Sequence, residues 1–562
     1  MDMAHKANSA GFRVSGLCLA IASACALLSV GTADAFQIDT GNPDLRLSWD
    51  NTIKYSAAWR VGKADGSVSD DSIGVQLNTN DGDRNFSRGL ISNRFDLLSE
   101  LDLRYKRNYG LRLSGAAWYD DVYNQGNDNP GYANPPFAGY DQVNSSVSRP
   151  DKFSDDTRDL HGRKAELLDA FIYGRYSVNN MNLNLRAGRF TQLYGESLFF
   201  GNNAVAGAQS SLDLIKALSV PNSQFKEILR PVGQLSAQLQ INQNVSLGAY
   251  YQLEWRKSRL PAAGSYFSFA DFVDEGGDMI FYVHPALGPQ VANRASDIEA
   301  SDSGQGGLQL KIKSGDFEYG VYAAQYHDKM PQFYLYPDTN RYEQVFAENI
   351  RTLGFSVSTL VGETNVAAEM SYRHDMPLVA SGNTVILPES MGADGDNHAA
   401  FPKGNTAHFN LSAISLFNGN SLWDGATFIG EFAFNRRLSV SENRDQLDPL
   451  ATRDAGALQF VFTPEYFQVA PGLDLQVPIG LGYGLFGRSS VNGVLFPSKN
   501  GGNVSLGLKA EYMKKVQASL NFTHFYGSSG SVIKYDTDVP ELSYKNFHGD
   551  RDFISLSVQR TF

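Results

Sequence analysis

In VSLGAYYQLEW (245–255) every second residue is apolar, namely Val245, Leu247, Ala249, Tyr251, Leu253 and Trp255, while Ser246, Gln252 and Glu254 fall between them. A period of two sends successive side chains to opposite faces of a strand, here one apolar and one wet. The same alternation runs through FDLLSELDLRY (95–105), NVSLGLKAEY (503–512), VQASLNFT (516–523) and FISLSVQRTF (553–562). The connections narrow the choice of fold. Lys106-Arg107-Asn108, Val178-Asn179-Asn180, Asn242-Gln243-Asn244, Ser314-Gly315-Asp316, Gly362-Glu363-Thr364 and Lys514-Lys515 each join two such strands in a few residues. Long polar tracts lie between these hairpins, at roughly 61–91, 124–162, 193–230, 259–304, 376–404, 439–455 and 528–549. Short and long links in alternation are the arrangement of outer-membrane barrels, with tight periplasmic turns and long extracellular loops.

Counting from 44–60 to 550–562 gives 18 candidate strands, so the sequence predicts an all-β fold, a transmembrane antiparallel β-barrel of about 16–18 strands. An even number returns both ends of the wall to the periplasm. The last strand, FISLSVQRTF, is expected to close against the first, near DLRLSWDNTIKYSAAW (44–59). A soluble β-sandwich also alternates, but its apolar face needs a second sheet, and loops of this length between regular strands are uncommon there. The opposite parity is dense in charge, with Glu100, Asp102, Arg104, Arg112, Glu254, Glu369, Lys509 and Glu511, which suits a water-filled lumen. The 27 Tyr, 35 Phe and 53 Gly fit aromatic girdles and turns. A net charge of −12 argues against a nucleic-acid partner, which calls for clustered Lys and Arg.

The front of the chain reads as a secretory leader. Lys6 and Arg13 form a basic region, LCLAIASACALLSVG (17–31) is apolar, and Ala33-Asp34-Ala35 is a small-x-small cleavage site. This predicts a signal peptide over 1–35 and one barrel domain over 36–562, placed in the bacterial outer membrane. A rival reading makes Cys25 a lipidated cysteine, although Ala22 stands where the lipobox Leu belongs. If the leader is removed, Cys18 and Cys25 leave with it, and the fold must hold without disulfides. No later apolar run reaches the length of a spanning helix.

Several stretches carry a family resemblance. RAGRFTQLYGESLFFGNNAV (186–205), LRPVGQLSAQLQINQNVSLGAYYQLEW (229–255), PAAGSYFSFADFV (261–273), NTIKYSAAWRV (51–61) and ISNRFDLLSELDLRY (91–105) resemble the proteobacterial outer-membrane family catalogued as a domain of unknown function, DUF1302. The resemblance spans essentially all of 36–562 and transfers no catalytic residue. It implies traffic of hydrophobic molecules across the envelope, in the company of a periplasmic lipid-carrier-like protein and an inner-membrane resistance-nodulation-division exporter. The chain departs from the long-chain fatty-acid transporters, whose plug precedes the first strand, because only Phe36 to Pro43 precede it here. The terminal Phe562 resembles the signal read by the barrel-assembly machinery, and outer-membrane lipid and lipopolysaccharide are the expected surroundings.

Two loop tracts stand out, 193–230 and 259–304, as a plug or a cap. In the first, Leu212, Ile215 and Leu218 recur at helical spacing, with Ser210 or Ser211 as cap and Pro221 as stop, and a second short helix containing Phe225 is expected over Ser223–Leu229. The helix either rests on the rim or folds into the lumen as a gate. In the second, Tyr266, Phe267, Phe269 and Phe272 form an aromatic cluster that either packs on the first tract or lines a greasy pocket. Candidate lumen-lining residues are Glu100, Asp102, Arg104, Glu254, Lys509 and Glu511.

Nothing in the sequence calls for chemistry. G-x-S-x-G, H-E-x-x-H and, after residue 35, C-x-x-C are absent, and the histidines are scattered. NTNDGDRN (78–85) and GADGDNH (392–398) are rich in oxygen donors without the spacing of a known calcium loop, and read either as outer-loop calcium sites or as solvated turns. No cofactor and no enzyme activity are expected. The predicted function is an outer-membrane channel or transporter for small, hydrophobic or amphipathic compounds. The alternative is a non-transporting structural or adhesion barrel acting through its long loops.

Overall fold

The computed structural model describes residues 36–69, 76–131, 149–223, 225–534 and 539–562, so the predicted leader, 1–35, lies outside the described residues. The wall of the barrel begins with β1 (Leu45–Arg60), β2 (Gly89–Tyr105), β3 (Tyr109–Asp120), β4 (Arg163–Val178), β5 (Met181–Phe190) and β6 (Val232–Gln240). It continues through β7 (Val245–Gln252), β8 (Gln305–Ser314), β9 (Phe317–Tyr326), β10 (Ile350–Val361), β11 (Thr364–Pro377) and β12 (Lys403–Asn418). It ends with β13 (Gly425–Arg437), β14 (Asp454–Ala470), β15 (Leu473–Gln476 and Ile479–Gly487), β16 (Gly502–Tyr512), β17 (Val516–Tyr526) and β18 (Phe553–Thr561). Each strand pairs antiparallel with the next, and β18 pairs with β1 from Thr52↔Thr561 to Arg60↔Phe553. The fold is therefore a closed 18-strand barrel, at the upper end of the expected count. Closure leaves no unpaired sheet edge, the condition for placing a sheet in lipid. Pro478, which has no N–H to give the ladder, falls in the break that divides β15.

The alternation sorts the side chains as expected. On the outer face Leu353 is 63% exposed and Phe355 45%, whereas Glu369 and Glu431, on the inward parity of β11 and β13, are 2% and 1% exposed. Trp49, Tyr105, Tyr109 and Tyr176 lie outward near the tight-turn end. Two of the tight turns are Lys106-Arg107 and Asn179-Asn180, all four residues with φ between 48° and 66°. That left-handed pair matches the twist of the flanking strands.

Eight tight links and nine long ones connect the strands. The long loops are L1 (61–88), L2 (121–162), L3 (191–231), L4 (253–304), L5 (327–349), L6 (378–402), L7 (438–453), L8 (488–501) and L9 (527–552). L5 and L8, and the tight links 419–424 and 471–472, were not among the links read from sequence. Within L4, L5 and L6, the strands Met279–His284, Gly288–Arg294, Arg341–Val345, Gln332–Tyr336 and Thr384–Ile386 form a five-stranded sheet above the wall. Beneath it Leu260, Phe272, Val273, Phe333, Leu335, Tyr342 and Leu542 pack into one apolar core.

The face assignment gives a direct test. Phe355→Arg, midway along β10 on the outer face, is expected to lower folding stability in bilayers by about 2–4 kcal/mol. Denaturant titration in lipid vesicles measures it, and a change near zero would place that face in water.

Candidate functional site

L3 does not rest on the rim. It leaves β5, crosses to β11–β13, and returns to β6 by way of β1–β4. In the first half the backbone N–H of Glu196 donates to Glu369 Oε2 (2.7 Å) and that of Val205 to Glu369 Oε1 (2.6 Å). The N–H groups of Leu198, Phe199 and Phe200 all donate to Glu431 Oε2, at 3.1, 2.5 and 2.9 Å. Three successive amides facing one oxygen make a small anion-binding nest, with the anion supplied by the wall. Asn203 reinforces the strap. Its Nδ2 donates to Asn410 Oδ1 (2.9 Å) and the Phe434 carbonyl (3.0 Å), and its Oδ1 accepts from Asn435 Nδ2 (3.2 Å). Gly195 is required here, since its φ is +100° and a Cβ would collide with the Glu369 carboxylate.

The second half is held by charge. Lys226 Nζ lies 2.5 Å from Glu100 Oε2 on β2, and Lys216 Nζ 3.6 Å from Glu166 on β4. Arg259 of L4 joins both sides, 2.5 Å from Asp213 of L3 and 2.6 Å from Glu166. Lys216, Arg259 and Arg94 also surround the indole of Trp118, at 5.1, 5.7 and 4.8 Å from its ring centre. The Lys216, Arg259, Asp213 and Glu166 side chains are nearly dry, so removing one partner would strand a buried charge.

L4 forms the next layer. Tyr266 and Phe267 are buried against Phe86, Ile91, Tyr123, Phe153, Phe525 and Phe553. Arg551 of L9 ties them down, donating through Nη1 to the Tyr266 carbonyl (2.6 Å) and pairing through Nη2 with Asp83 of L1 (2.7 Å). Asp83 and Asp550 also flank Arg60 at the end of β1, at 3.2 and 2.9 Å. Two histidines pin the same stretch. The Ala262 N–H donates to His161 Nε2 (3.1 Å), and His548 Nε2 lies 3.0 Å from the Phe267 carbonyl. Burial, with nearby arginines adding to it, pushes both imidazoles down to about 3.

The predicted site residues divide. The helix of L3, α1 (Leu214–Ser219), is capped by the Asp213 carboxylate, which accepts from the Lys216 N–H (3.0 Å), rather than by Ser210 or Ser211. Ser211 and Leu212 instead pair as a short strand with Leu229 and Arg230. Ile215 packs with Leu160 and Ala262, and Leu218 is partly exposed. Phe225 begins the short helix α2 (Phe225–Ile228), and its side chain lies outside the described residues. Phe272 packs edge-on against Phe333 at 5.2 Å. Of the aromatic cluster Phe269 lines a cavity of about 90 Å³ between L3, L4, L5, L6 and L8. Leu212, Ile215, Leu218, Tyr266, Phe267 and Phe272 are not part of that lining. On the inward parity, Glu100 is also paired with Arg112, Asp102 lies 2.9 Å from Arg104, and Glu511 accepts from Gln517 (3.0 Å). Lys509 shares that parity, opposite the exposed Leu508, and Glu254, two residues beyond β7, pairs with Arg189 at 2.6 Å. NTNDGDRN is not a solvated turn. Asn78, Asp83 and Asn85 are buried and bonded to other loops, and no group of three His, Cys, Asp or Glu side chains placed to hold a metal occurs among the described residues.

Glu431, Arg373 and Asn203 were not singled out from sequence. The only available signal for Glu431 was a lone acid inside the otherwise apolar FIGEFAF (428–434).

Both kinds of contact can be tested. Glu431→Gln removes the charge from the three-amide nest and is expected to loosen L3 by about 3 kcal/mol. Limited proteolysis of vesicle-embedded barrel should then cleave between 196 and 210, where wild type resists; equal resistance would show that the nest does not hold the loop. Acid should loosen L4. Because the folded pKa of His161 and His548 lies below the unfolded value of about 6.5, their stabilisation is present above that pH and is lost as pH falls from about 6.5 towards 3, by about 1.4 kcal/mol per unit for each. Hydrogen exchange of 261–268 should accelerate between pH 6.5 and 5, and His161→Gln with His548→Gln should flatten that dependence.

No curated protein sequence matches the chain. Among solved structures, Acinetobacter baumannii OccAB2 is similar at 9% identity with a TM-score of 0.42, over 92% of this chain and 98% of that one. Pseudomonas aeruginosa OpdK, solved with vanillate, is similar at 10% identity and a TM-score of 0.39, over 92% and 98%. The A. baumannii outer-membrane channel DcaP is similar at 8% identity and a TM-score of 0.37, over 94% and 100%. The family described as protein of unknown function, DUF1302, matches residues 16–562, and the chain belongs to it.

Proposed function

We propose that the protein is an outer-membrane channel that moves small apolar or amphipathic compounds past a fixed constriction, with no chemical step. The observation that carries this reading is the path of L3, bonded to Glu369 and Glu431 on one wall and to Glu100 and Glu166 on the other. An 18-strand wall is wide enough for an aqueous passage, and a strap across it converts a wide pore into a selective one. The cavity beside that strap, apolar over much of its wall, gives a solute with hydrocarbon surface a place to leave water before it passes. On the adhesive alternative the long loops would present their polar groups outward, whereas Asp83, Arg551, Asp213 and Arg259 are buried in contacts between loops. On the proposed reading, the lipid-carrier-like protein and exporter implied by the family resemblance would meet the tight-turn end. The leader would be cleaved after Ala35.

Planar-bilayer recording tests the constriction. Wild type should show a small, steady conductance, and deletion of 196–207 should raise it severalfold. A wild-type conductance of open-porin size, unchanged by the deletion, would overturn the reading.

A further inference from the structure

The cavity above L3 has an unbalanced charge. Its walls are largely apolar, with Phe269, Met330, Phe333, Met376, Val379 and Val491 among them, and its floor includes Asn202 and Gly207 of L3 and Arg373 of β11. Arg373 is 3% exposed. Its Nη2 donates to the carbonyls of Asn202 (2.7 Å) and Ala204 (2.8 Å), while Nη1 lies 3.9 Å from the Met376 sulfur and the Tyr326 side chain stands beside the guanidinium. Next to the cavity, Lys329 is buried, with Nζ bonded to the carbonyls of Ala208 (3.3 Å) and His327 (3.2 Å). Neither cation has a carboxylate within ion-pair distance among the described residues. The one acidic lining residue, Asp328, turns its Oδ1 to the N–H groups of Lys329 (2.7 Å) and Met330 (3.1 Å). Gln332, also in the lining, has a buried Oε1 with no hydrogen-bond partner.

Two buried cations against one carboxylate leave one positive charge without a counter-ion, in surroundings where an unpaired charge is costly. We propose that this cavity binds a small amphipathic monoanion, its carboxylate against Arg373 and its hydrocarbon body against Phe269, Phe333 and the two methionines. The inference rests on the channel reading above and deepens it by naming the solute class. Both Nη2 hydrogens are committed to carbonyls, so a carboxylate would meet Nη1, giving up only the weak Met376 sulfur contact, in a single charge-assisted hydrogen bond that supplies direction as well as charge. Met330 and Met376 have unbranched side chains that adapt to bodies of different shape, which compensates for the small resting volume.

The test uses hexanoate as the probe, with hexan-1-ol and hexylammonium for comparison, by calorimetry on the barrel in lipid nanodiscs against empty nanodiscs. Wild type should bind hexanoate saturably and prefer it to both neutral and cationic analogues. Arg373→Gln should weaken hexanoate about tenfold or more and abolish its preference over hexan-1-ol. Val491→Phe, which fills the cavity without replacing Arg373, should remove both ligands. Because Arg373 also braces L3, Arg373→Lys serves as the charge-retaining variant and should keep a preference for the anion. Equal affinity of wild type for hexanoate and hexan-1-ol, hexanoate binding unaffected by Val491→Phe, or no hexanoate binding by folded wild type would each overturn the assignment. Conductance of the same preparation separates the two readings. A wide-open wild-type pore that still binds hexanoate contradicts the constriction, whereas a constricted pore that binds none contradicts only the anion site.

Discussion

A loop that crosses the lumen of a wide barrel needs partners for its own backbone, because a strap of chain without secondary structure carries unsatisfied N–H groups wherever it leaves water. Here Glu369 and Glu431 meet that need. Between them they accept the amides of Glu196, Leu198, Phe199, Phe200 and Val205. The arrangement serves both sides, since each carboxylate would be costly to bury alone and each amide would be costly to leave unbonded. Once that stretch is fixed, α1 is delivered to Glu166 and Trp118 on the far wall, and L4 has a floor on which to pack.

The loops above L3 follow the same logic at longer range. Asp83, Arg60, Asp550 and Arg551 join L1, L9 and the end of β1, and Arg551 reaches past them to the backbone of L4 at Tyr266. Asp213, Arg259 and Glu166 do the same for L3, L4 and β4. Apolar clusters fill the spaces between, so the long loops behave as a packed layer inside the mouth of the barrel. The charged parity of the wall therefore serves partly as attachment for loops and partly as lining.

The barrel was legible because its signals are local. Period two fixes which face of FISLSVQRTF or NVSLGLKAEY meets lipid, and Asn179-Asn180 fixes a turn within its own hairpin. L5 was missed for a related reason. Its strands Gln332–Tyr336 and Arg341–Val345 alternate as wall strands do but belong to the sheet above the wall. The site was less legible because its contacts are distant in sequence: Glu431 lies more than 230 residues from the amides it accepts. Helical spacing located α1 approximately, yet Asp213 took the capping role because Ser211 was already committed to a strand with Arg230. Tyr266 and Phe267 were visible as an aromatic cluster, but their neighbours Phe86, Tyr123 and Phe525 come from other parts of the chain and close over them.

The proposed constriction requires L3 to lie against β12 in the membrane-embedded protein. Ser412 Oγ on β12 donates to the Glu196 carbonyl at 3.1 Å, and the only cysteines in the sequence are Cys18 and Cys25. Expressed without residues 1–35, a Glu196→Cys, Ser412→Cys double variant offers a single pair of thiols, one on the loop and one on the wall. Oxidation, or a short bis-thiol reagent, should join them rapidly and nearly completely in folded barrels, producing a reduction-sensitive shift in gel mobility. Thiols that stay free, with the one on the loop open to a membrane-impermeant maleimide added from outside, would mean that the loop stands away from the wall, and the constriction would have to be abandoned.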